Sequence, residues 1–122
     1  MSPLSGRRIL IAEDESLIAL ELEDAMQALG CEVLGPVSRV EDVLTHARSG
    51  GLDGALLDVN LRGEQIFGIL PELVASGLPL IITSGYDDAT LFPEEFRSLP
   101  RIAKPFDGKA LRHLCLTVFG KN

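Results

Sequence analysis

The chain has 122 residues, of which 46% are hydrophobic and 24% are charged, and its formal net charge is −7. This composition is typical of a globular protein and excludes a disordered or fibrous chain. No run of basic residues is longer than Arg7-Arg8. Because the phosphates of a nucleic acid need a basic surface, we expect no direct nucleic-acid partner.

Length, hydropathy and cysteine content also limit the class of protein. No segment approaches the ~20 apolar residues that span a bilayer, so we expect no membrane insertion and a cytoplasmic location. Cys31 and Cys115 lie far apart in a chain long enough to build its own core, which favours free buried thiols over a disulfide. We predict a single domain over residues 1–122, with its core at about 7–119.

Short aliphatic runs alternate with longer segments of helical period, as in a parallel sheet covered by helices on both faces. The predicted strands are 8–12, 32–37, 55–58, 78–82 and 102–103. The predicted helices are 15–29, 38–49, 66–75, 87–99 and a last one from residue 107. Because such crossovers are right-handed, we predict an α/β fold with one doubly wound, flavodoxin-like sheet. Its predicted strand order is 2-1-3-4-5, which is the common order at this size.

Single residues indicate where these helices begin and which of them is weak. Ser38 can cap the second helix, and Asp107 can cap the last. Pro71 marks either a late start or a kink in the third helix. Pro93 interrupts the segment 87–99, whose apolar residues keep poor period. We therefore predict that this fourth helix is short or mobile.

Polar residues follow the predicted strands at the sheet edge where ligands bind in open parallel sheets. Strand one runs into Glu13 and Asp14, strand three ends at Asp58, strand four at Thr83 and strand five at Lys104. Three carboxylates, one hydroxyl and one ammonium are therefore predicted to meet at one edge.

This combination of groups suits phosphoryl transfer. Clustered carboxylates need a counter-charge or a hard cation, and Mg²⁺ prefers oxygen ligands while leaving a position for a phosphate oxygen. Lys104 can pair with a phosphate, and Thr83 can donate to an oxygen that arrives with it. Asp58 is then the nucleophile, since an aspartate can carry a phosphoryl group as an acyl phosphate.

Each element also has a plainer explanation. Glu13 and Asp14 could be a solvated helix start, Asp58 an Asx turn, Thr83 part of a turn and Lys104 a surface lysine. All four explanations would have to coincide at the same edge of one sheet. The joint occurrence therefore favours a functional site.

Four motifs resemble the receiver domains of bacterial two-component response regulators. They are Ile-Ala-Glu-Asp-Glu at 11–15, Leu-Leu-Asp-Val-Asn-Leu at 56–61, Thr-Ser-Gly-Tyr at 83–86 and Ala-Lys-Pro-Phe at 103–106. They occur in family order with family-like separations over about residues 7–119. The third motif also resembles an alphaproteobacterial subgroup known for a Phe-Ala-Thr-Gly-Tyr-like sequence.

The resemblance implies a role for each residue at the strand ends. The implied Mg²⁺ ligands are the carboxylates of Glu13, Asp14 and Asp58 and the backbone carbonyl of Asn60. Asp58 is the implied phosphoacceptor, Thr83 the switch hydroxyl and Lys104 the phosphate partner, and Pro105 would follow a cis peptide bond.

One position departs from the family. Most receivers carry Tyr or Phe three residues before the lysine as a rotameric switch, whereas this chain has Arg101. The usual aromatic relay is therefore in question, and Tyr86 could take over part of that role.

The resemblance implies a phosphoacceptor that switches conformation and is not an enzyme, although phosphorylation by small donors and autodephosphorylation fit it. The implied partner is a sensor histidine kinase or a histidine phosphotransfer protein, and a weak homodimer is compatible with it.

Three other functions are compatible with such a sheet. A Mg²⁺-dependent aspartate-nucleophile phosphatase of the haloacid-dehalogenase kind would need a second Asp two positions after Asp58, where this chain has Asn60. A flavin- or nucleotide-binding module needs a phosphate-accepting loop after strand one, where Glu13 and Asp14 repel phosphate. A receiver fold used only for protein interaction, without phosphorylation, remains the third alternative.

Overall fold

The structure is a computed structural model that describes residues 3–85 and 92–120. In chain order its elements are β1 (Arg8–Ala12), α1 (Ser16–Ala28), β2 (Glu32–Val37), α2 (Val40–Ser49), β3 (Gly54–Asp58), β4 (Asn60–Leu61), β5 (Glu64–Gln65), α3 (Leu70–Ala75), β6 (Leu80–Ser84), β7 (Arg101–Ala103) and α4 (Gly108–Phe119). Single 3₁₀ turns occur at Ile66–Gly68 and Glu94–Phe96. No helix within the described ranges is long and apolar enough to cross a membrane.

Five strands form one parallel sheet in the order β2-β1-β3-β6-β7, and β4 and β5 form a separate two-stranded sheet. This arrangement is the predicted order 2-1-3-4-5, so the prediction of a doubly wound sheet is confirmed. The register places Asp58 beside Thr83, and Ser84 beside Ala103. The carboxyl ends of the three strands β3, β6 and β7 therefore lie at the same edge.

Burial explains why the central strands lack polar alternation. Every residue of β3 and β6 is buried, because side chains that point to opposite faces both meet helices. One face packs against α2 and α3 through residues that include Leu57, Val43 and Leu73. The other face packs against α1 and α4 and includes Leu22 and Phe119. The carboxyl edge of the sheet thus belongs to a sheet that is packed against helices on both faces.

The two cysteines lie on the face covered by α1 and α4. Both Cys31 and Cys115 are buried and free, as predicted. Burial raises the pKa of Cys115 to about 12 and also raises the pKa of Cys31. Because the thiolate is the reactive form, these residues act as small apolar side chains of the core.

Helix starts differ in part from the sequence predictions. The prediction that Ser38 caps α2 is wrong, because the cap residue is Arg39 and no side chain caps the helix. Ser38 Oγ instead accepts a hydrogen bond from Arg62 Nε at 3.1 Å.

The late start of α3 is confirmed, since a 3₁₀ turn precedes it and Pro71 lies in its first turn. Asp107 caps α4 as predicted, by accepting from the backbone N–H of Lys109.

The segment 87–99 is described only in part. Residues 87–91 of the predicted fourth helix lie outside the described residues. The remainder holds the short 3₁₀ turn Glu94–Phe96, which directly follows Pro93. Strand β6 begins at Leu80 and runs to Ser84, two residues later than the predicted 78–82 at both ends.

Candidate functional site

The carboxylates that follow β1 and end β3 gather at one edge of the sheet. Glu13, Asp14 and Asp58 each place one carboxylate oxygen within 4.8 Å of the others, and we call these three residues the acidic cluster. Glu13 and Asp58 are buried, whereas Asp14 is exposed to solvent. An all-oxygen set that is open on one side suits a hard divalent cation that keeps some of its waters.

Lys104 supplies the positive charge at this edge. Its Nζ lies 2.7 Å from Glu13 Oε1 and donates a hydrogen bond of 2.9 Å to Asp58 Oδ2. Burial lowers the pKa of Lys104, but the hydrogen bonds and negative charges of Glu13 and Asp58 outweigh burial and raise the pKa overall. The ammonium therefore stays charged while it bridges two carboxylates from different strands.

Glu13 is the carboxylate most affected by its surroundings. Burial raises the pKa of Glu13 to about 7, and the nearby charge of Asp58 acts in the same direction. Two hydrogen bonds act in the opposite direction and lower the pKa of Glu13. One comes from Lys104, and the other comes from the backbone N–H of Glu15, which lies 3.1 Å from Glu13 Oε2. The net result is still a raised pKa. In the metal-free chain, Glu13 therefore binds a proton more readily than an ordinary glutamate does.

We expect Glu13 to contribute a loss of stability to the metal-free protein as pH rises from about 4.5 to about 7. A carboxyl group with a higher pKa in the folded than in the unfolded state binds more protons when folded, so the free energy of unfolding falls across that window. Urea denaturation at several pH values, in the presence of a chelator, measures this slope. A Glu13→Gln variant should lose this part of the dependence; an unchanged slope in the variant would contradict the assignment.

Two backbone N–H groups orient the remaining carboxylate oxygens. The N–H of Asn60 donates to Asp58 Oδ1 at 3.3 Å, and the N–H of Arg62 donates to Asp14 Oδ2 at 2.9 Å. Asn60 lines the same cleft as Asp14, Asp58 and Lys104. Its backbone carbonyl thus belongs to the segment that borders the acidic cluster.

Thr83 lies next to Asp58 and is fully buried. Among the residues that the structure describes, its Oγ1 has no hydrogen-bond partner. Leaving a buried hydroxyl unpaired costs about 1–3 kcal/mol. The Thr83 hydroxyl is therefore a buried donor at the carboxyl edge of the sheet that none of the described residues engages.

The predicted switch positions have different outcomes. Tyr86 lies outside the described residues. Arg101 is exposed on β7, and its guanidinium carbon lies 4.7 Å from the ring centroid of Phe92. The ring centroids of Phe67 and Phe92 lie 5.2 Å apart in an edge-to-face arrangement. Arg101 therefore adds a cation–π contact to this aromatic pair. The Lys104–Pro105 peptide bond is cis.

The hairpin after β3 was not predicted. Strands β4 and β5 pair across the two-residue turn Arg62-Gly63, and both turn residues have positive φ. An X-Gly pair is a known hairpin signal, but flanking strands of only two residues show no periodicity. The sequence interpretation therefore missed Arg62 as a residue that contacts the acidic cluster.

The five-stranded sheet and its edge define a class of protein. An acidic cluster beside the first and third strands, a buried hydroxyl on the fourth and a lysine after the fifth are the arrangement of a receiver domain. The comparisons agree: the chain belongs to the receiver-domain family of response regulators. No protein-family model matches the sequence.

The similarity to solved structures covers nearly the whole chain. SdrG from the alphaproteobacterium Sphingomonas melonis Fr1 is 39% identical with a TM-score of 0.78, over 97% of this chain and 100% of that one. The receiver domain of the sensor histidine kinase PA1611 from Pseudomonas aeruginosa PAO1, solved with magnesium in its active-site cleft, is 21% identical with a TM-score of 0.81, over 96% and 100% of the two chains.

The curated relatives are more distant and longer. The transcriptional regulatory protein PdtaR of Mycobacterium tuberculosis is 23% identical over 103 residues, which is 82% of this chain and 50% of the relative. The chain therefore spans about half the length of the curated relatives it matches.

Proposed function

We propose that this chain is a phosphoacceptor that receives a phosphoryl group on Asp58 within a two-component or phosphorelay system. One observation carries the proposal: the Lys104 ammonium bridges Asp58 and Glu13 within 3 Å, beside the Thr83 hydroxyl, which pairs with no residue in the ranges 3–85 and 92–120. A nucleophilic carboxylate, a cation for phosphate oxygens and a hydroxyl without a partner are together the groups that an acyl phosphate needs.

The residues at this edge fit Mg²⁺. The groups that would hold the ion are the carboxylates of Glu13, Asp14 and Asp58 and the backbone carbonyl of Asn60. When bound, Mg²⁺ supplies charge neutralisation for the phosphoryl oxygens. The known magnesium site of the PA1611 receiver supports this choice of ion.

Asp58 acts as the nucleophile in this proposal. A carboxylate oxygen of Asp58 forms a bond to phosphorus while the bond from phosphorus to the donor nitrogen breaks, and the electron pair of that bond stays with the donor. Lys104 then holds a phosphoryl oxygen, and the Thr83 hydroxyl donates to another. These contacts exist only in the phosphorylated state, so they can shift the conformational equilibrium of the domain.

The phosphodonor is proposed to be the phosphohistidine of a sensor histidine kinase or of a histidine phosphotransfer protein. The negative charge of the chain and the lack of a basic run support a protein donor and a protein target over a nucleic acid. Asn60 occupies the position where a phosphatase of the haloacid-dehalogenase kind would carry its second Asp, which favours an acceptor over an enzyme.

The proposal is tested with acetyl phosphate and intact-protein mass spectrometry. With Mg²⁺, we expect the chain to gain the mass of one phosphoryl group, which hydroxylamine removes because acyl phosphates are labile to it. With a chelator in place of Mg²⁺, the gain should disappear. No gain with acetyl phosphate, phosphoramidate or a phosphorylated kinase would contradict the proposal, and turnover of free phosphomonoesters would favour the phosphatase.

A further inference from the structure

Arg62 occupies an unusual backbone position beside the acidic cluster. It is the one non-glycine residue with a positive φ in the part of the chain that the structure describes, at 50°, and Gly63 follows at 85°. Positive φ at both turn positions is the type I′ geometry of tight hairpins, for which Asn, Asp and Gly are the usual first residues. An arginine in this position carries backbone strain, which other contacts must offset.

Two hydrogen bonds connect Arg62 to other parts of the molecule. Its backbone N–H donates to Asp14 Oδ2 at 2.9 Å, and its side-chain Nε donates to Ser38 Oγ at 3.1 Å. Ser38 lies in the connection between β2 and α2, 24 positions away. The side chain of Arg62 therefore ties the hairpin to that connection, while its amide holds the exposed carboxylate of Asp14.

We propose that Arg62 is a positioning residue for the metal site: its bond to Ser38 fixes the hairpin, and the fixed hairpin orients Asp14 and the Asn60 carbonyl for Mg²⁺. This inference rests on the proposed function, because it concerns the same ion. Asp14 is exposed, so without the amide its carboxylate would adopt several rotamers and lose affinity for the ion. Partners behind metal ligands commonly change metal affinity by 10- to 100-fold.

Electrostatics alone predicts the opposite effect. Removing a positive charge from the neighbourhood of three carboxylates should strengthen the binding of a divalent cation. If Arg62 positions the ligands, its removal should weaken binding despite the lost repulsion. The sign of the change therefore distinguishes positioning from charge.

The test compares Mg²⁺ affinity by isothermal titration calorimetry in the wild type, Arg62→Gly, Ser38→Ala and the double variant. Arg62→Gly keeps the backbone donor and favours positive φ, so the hairpin can form without the guanidinium. Ser38→Ala leaves the turn untouched and removes the acceptor. We expect each single variant to bind Mg²⁺ about 10-fold more weakly, and the double variant to bind no more weakly than Arg62→Gly.

Arg39→Gln is the matched control, because it removes a positive charge from the same connection without breaking the bond to Ser38. It should bind Mg²⁺ as tightly as the wild type or more tightly. Unchanged or tighter binding by Arg62→Gly and Ser38→Ala would overturn the inference and leave the proposed function standing. A wild-type chain that binds no Mg²⁺ would overturn the proposed function, and the inference with it.

Discussion

Replacing Asp58 with asparagine is expected to abolish phosphoryl incorporation from acetyl phosphate and Mg²⁺. The amide oxygen of asparagine is a poor nucleophile and cannot form the same acyl phosphate. The substitution also removes one negative charge from the acidic cluster and the anionic partner of Lys104. Intact-protein mass spectrometry should show one added phosphoryl group in the wild type and none in the variant.

Asp53→Asn is the matched control for this experiment. Asp53 precedes β3 at the opposite end of the strand, where its Oδ2 accepts a hydrogen bond of 2.8 Å from the backbone N–H of Arg8. The control makes the same chemical change about one strand length from the site, and it should keep its phosphoryl gain. Incorporation by Asp58→Asn at the wild-type level would show that another residue is the acceptor.

Replacing Lys104 with methionine is expected to destabilise the metal-free protein at neutral pH and to impair phosphorylation. The change leaves Glu13 and Asp58 close together without their shared cation. Removing one partner of a fully buried pair costs about 3–5 kcal/mol. Because the Lys104 side chain is 15% exposed, we expect about 2–3 kcal/mol from urea denaturation with a chelator present.

Magnesium provides a second measurement on the same variant. Since Lys104 and Mg²⁺ both neutralise the acidic cluster, Mg²⁺ should stabilise Lys104→Met more than it stabilises the wild type. The surface variant Lys109→Met serves as the control and should behave like the wild type. Equal metal-free stability of Lys104→Met and the wild type would show that the ammonium does not balance the two carboxylates.

The strands of the fold could be predicted from local patterns. The apolar run that ends at Asp58 lacks polar alternation because β3 is buried on both faces, and that property shows in the sequence itself. The strand order 2-1-3-4-5 was predicted because it is the common order of doubly wound sheets of this size, and it is confirmed. The convergence of Glu13, Thr83 and Lys104 followed from the rule that places ligand sites at carboxyl strand ends.

Predictions were less accurate where one side chain could pair with several different partners. Ser38 has the residue type of a helix cap, yet its hydroxyl pairs with Arg62 and the cap position falls on Arg39. Arg101 was recognised as a departure from the family, but its contact with Phe92 was not predicted. Both contacts depend on tertiary packing, which brings the Arg62 guanidinium to Ser38 and the Phe92 ring to Arg101.

Local patterns in the sequence therefore indicated the five strands of the main sheet and the polar residues at their carboxyl ends, because periodicity and strand ends are local properties, whereas the short β4–β5 hairpin left no such pattern. Three features of the site came from the packed fold instead: Lys104 bridges Glu13 and Asp58, Thr83 has no partner among the described residues, and the Arg62 amide holds Asp14. The two residues of the longest-range contact, Glu13 and Lys104, lie near opposite ends of the sequence. Such contacts form only when the packed sheet brings its strand ends within hydrogen-bond distance, because hydrogen bonds and ion pairs act over a few ångströms.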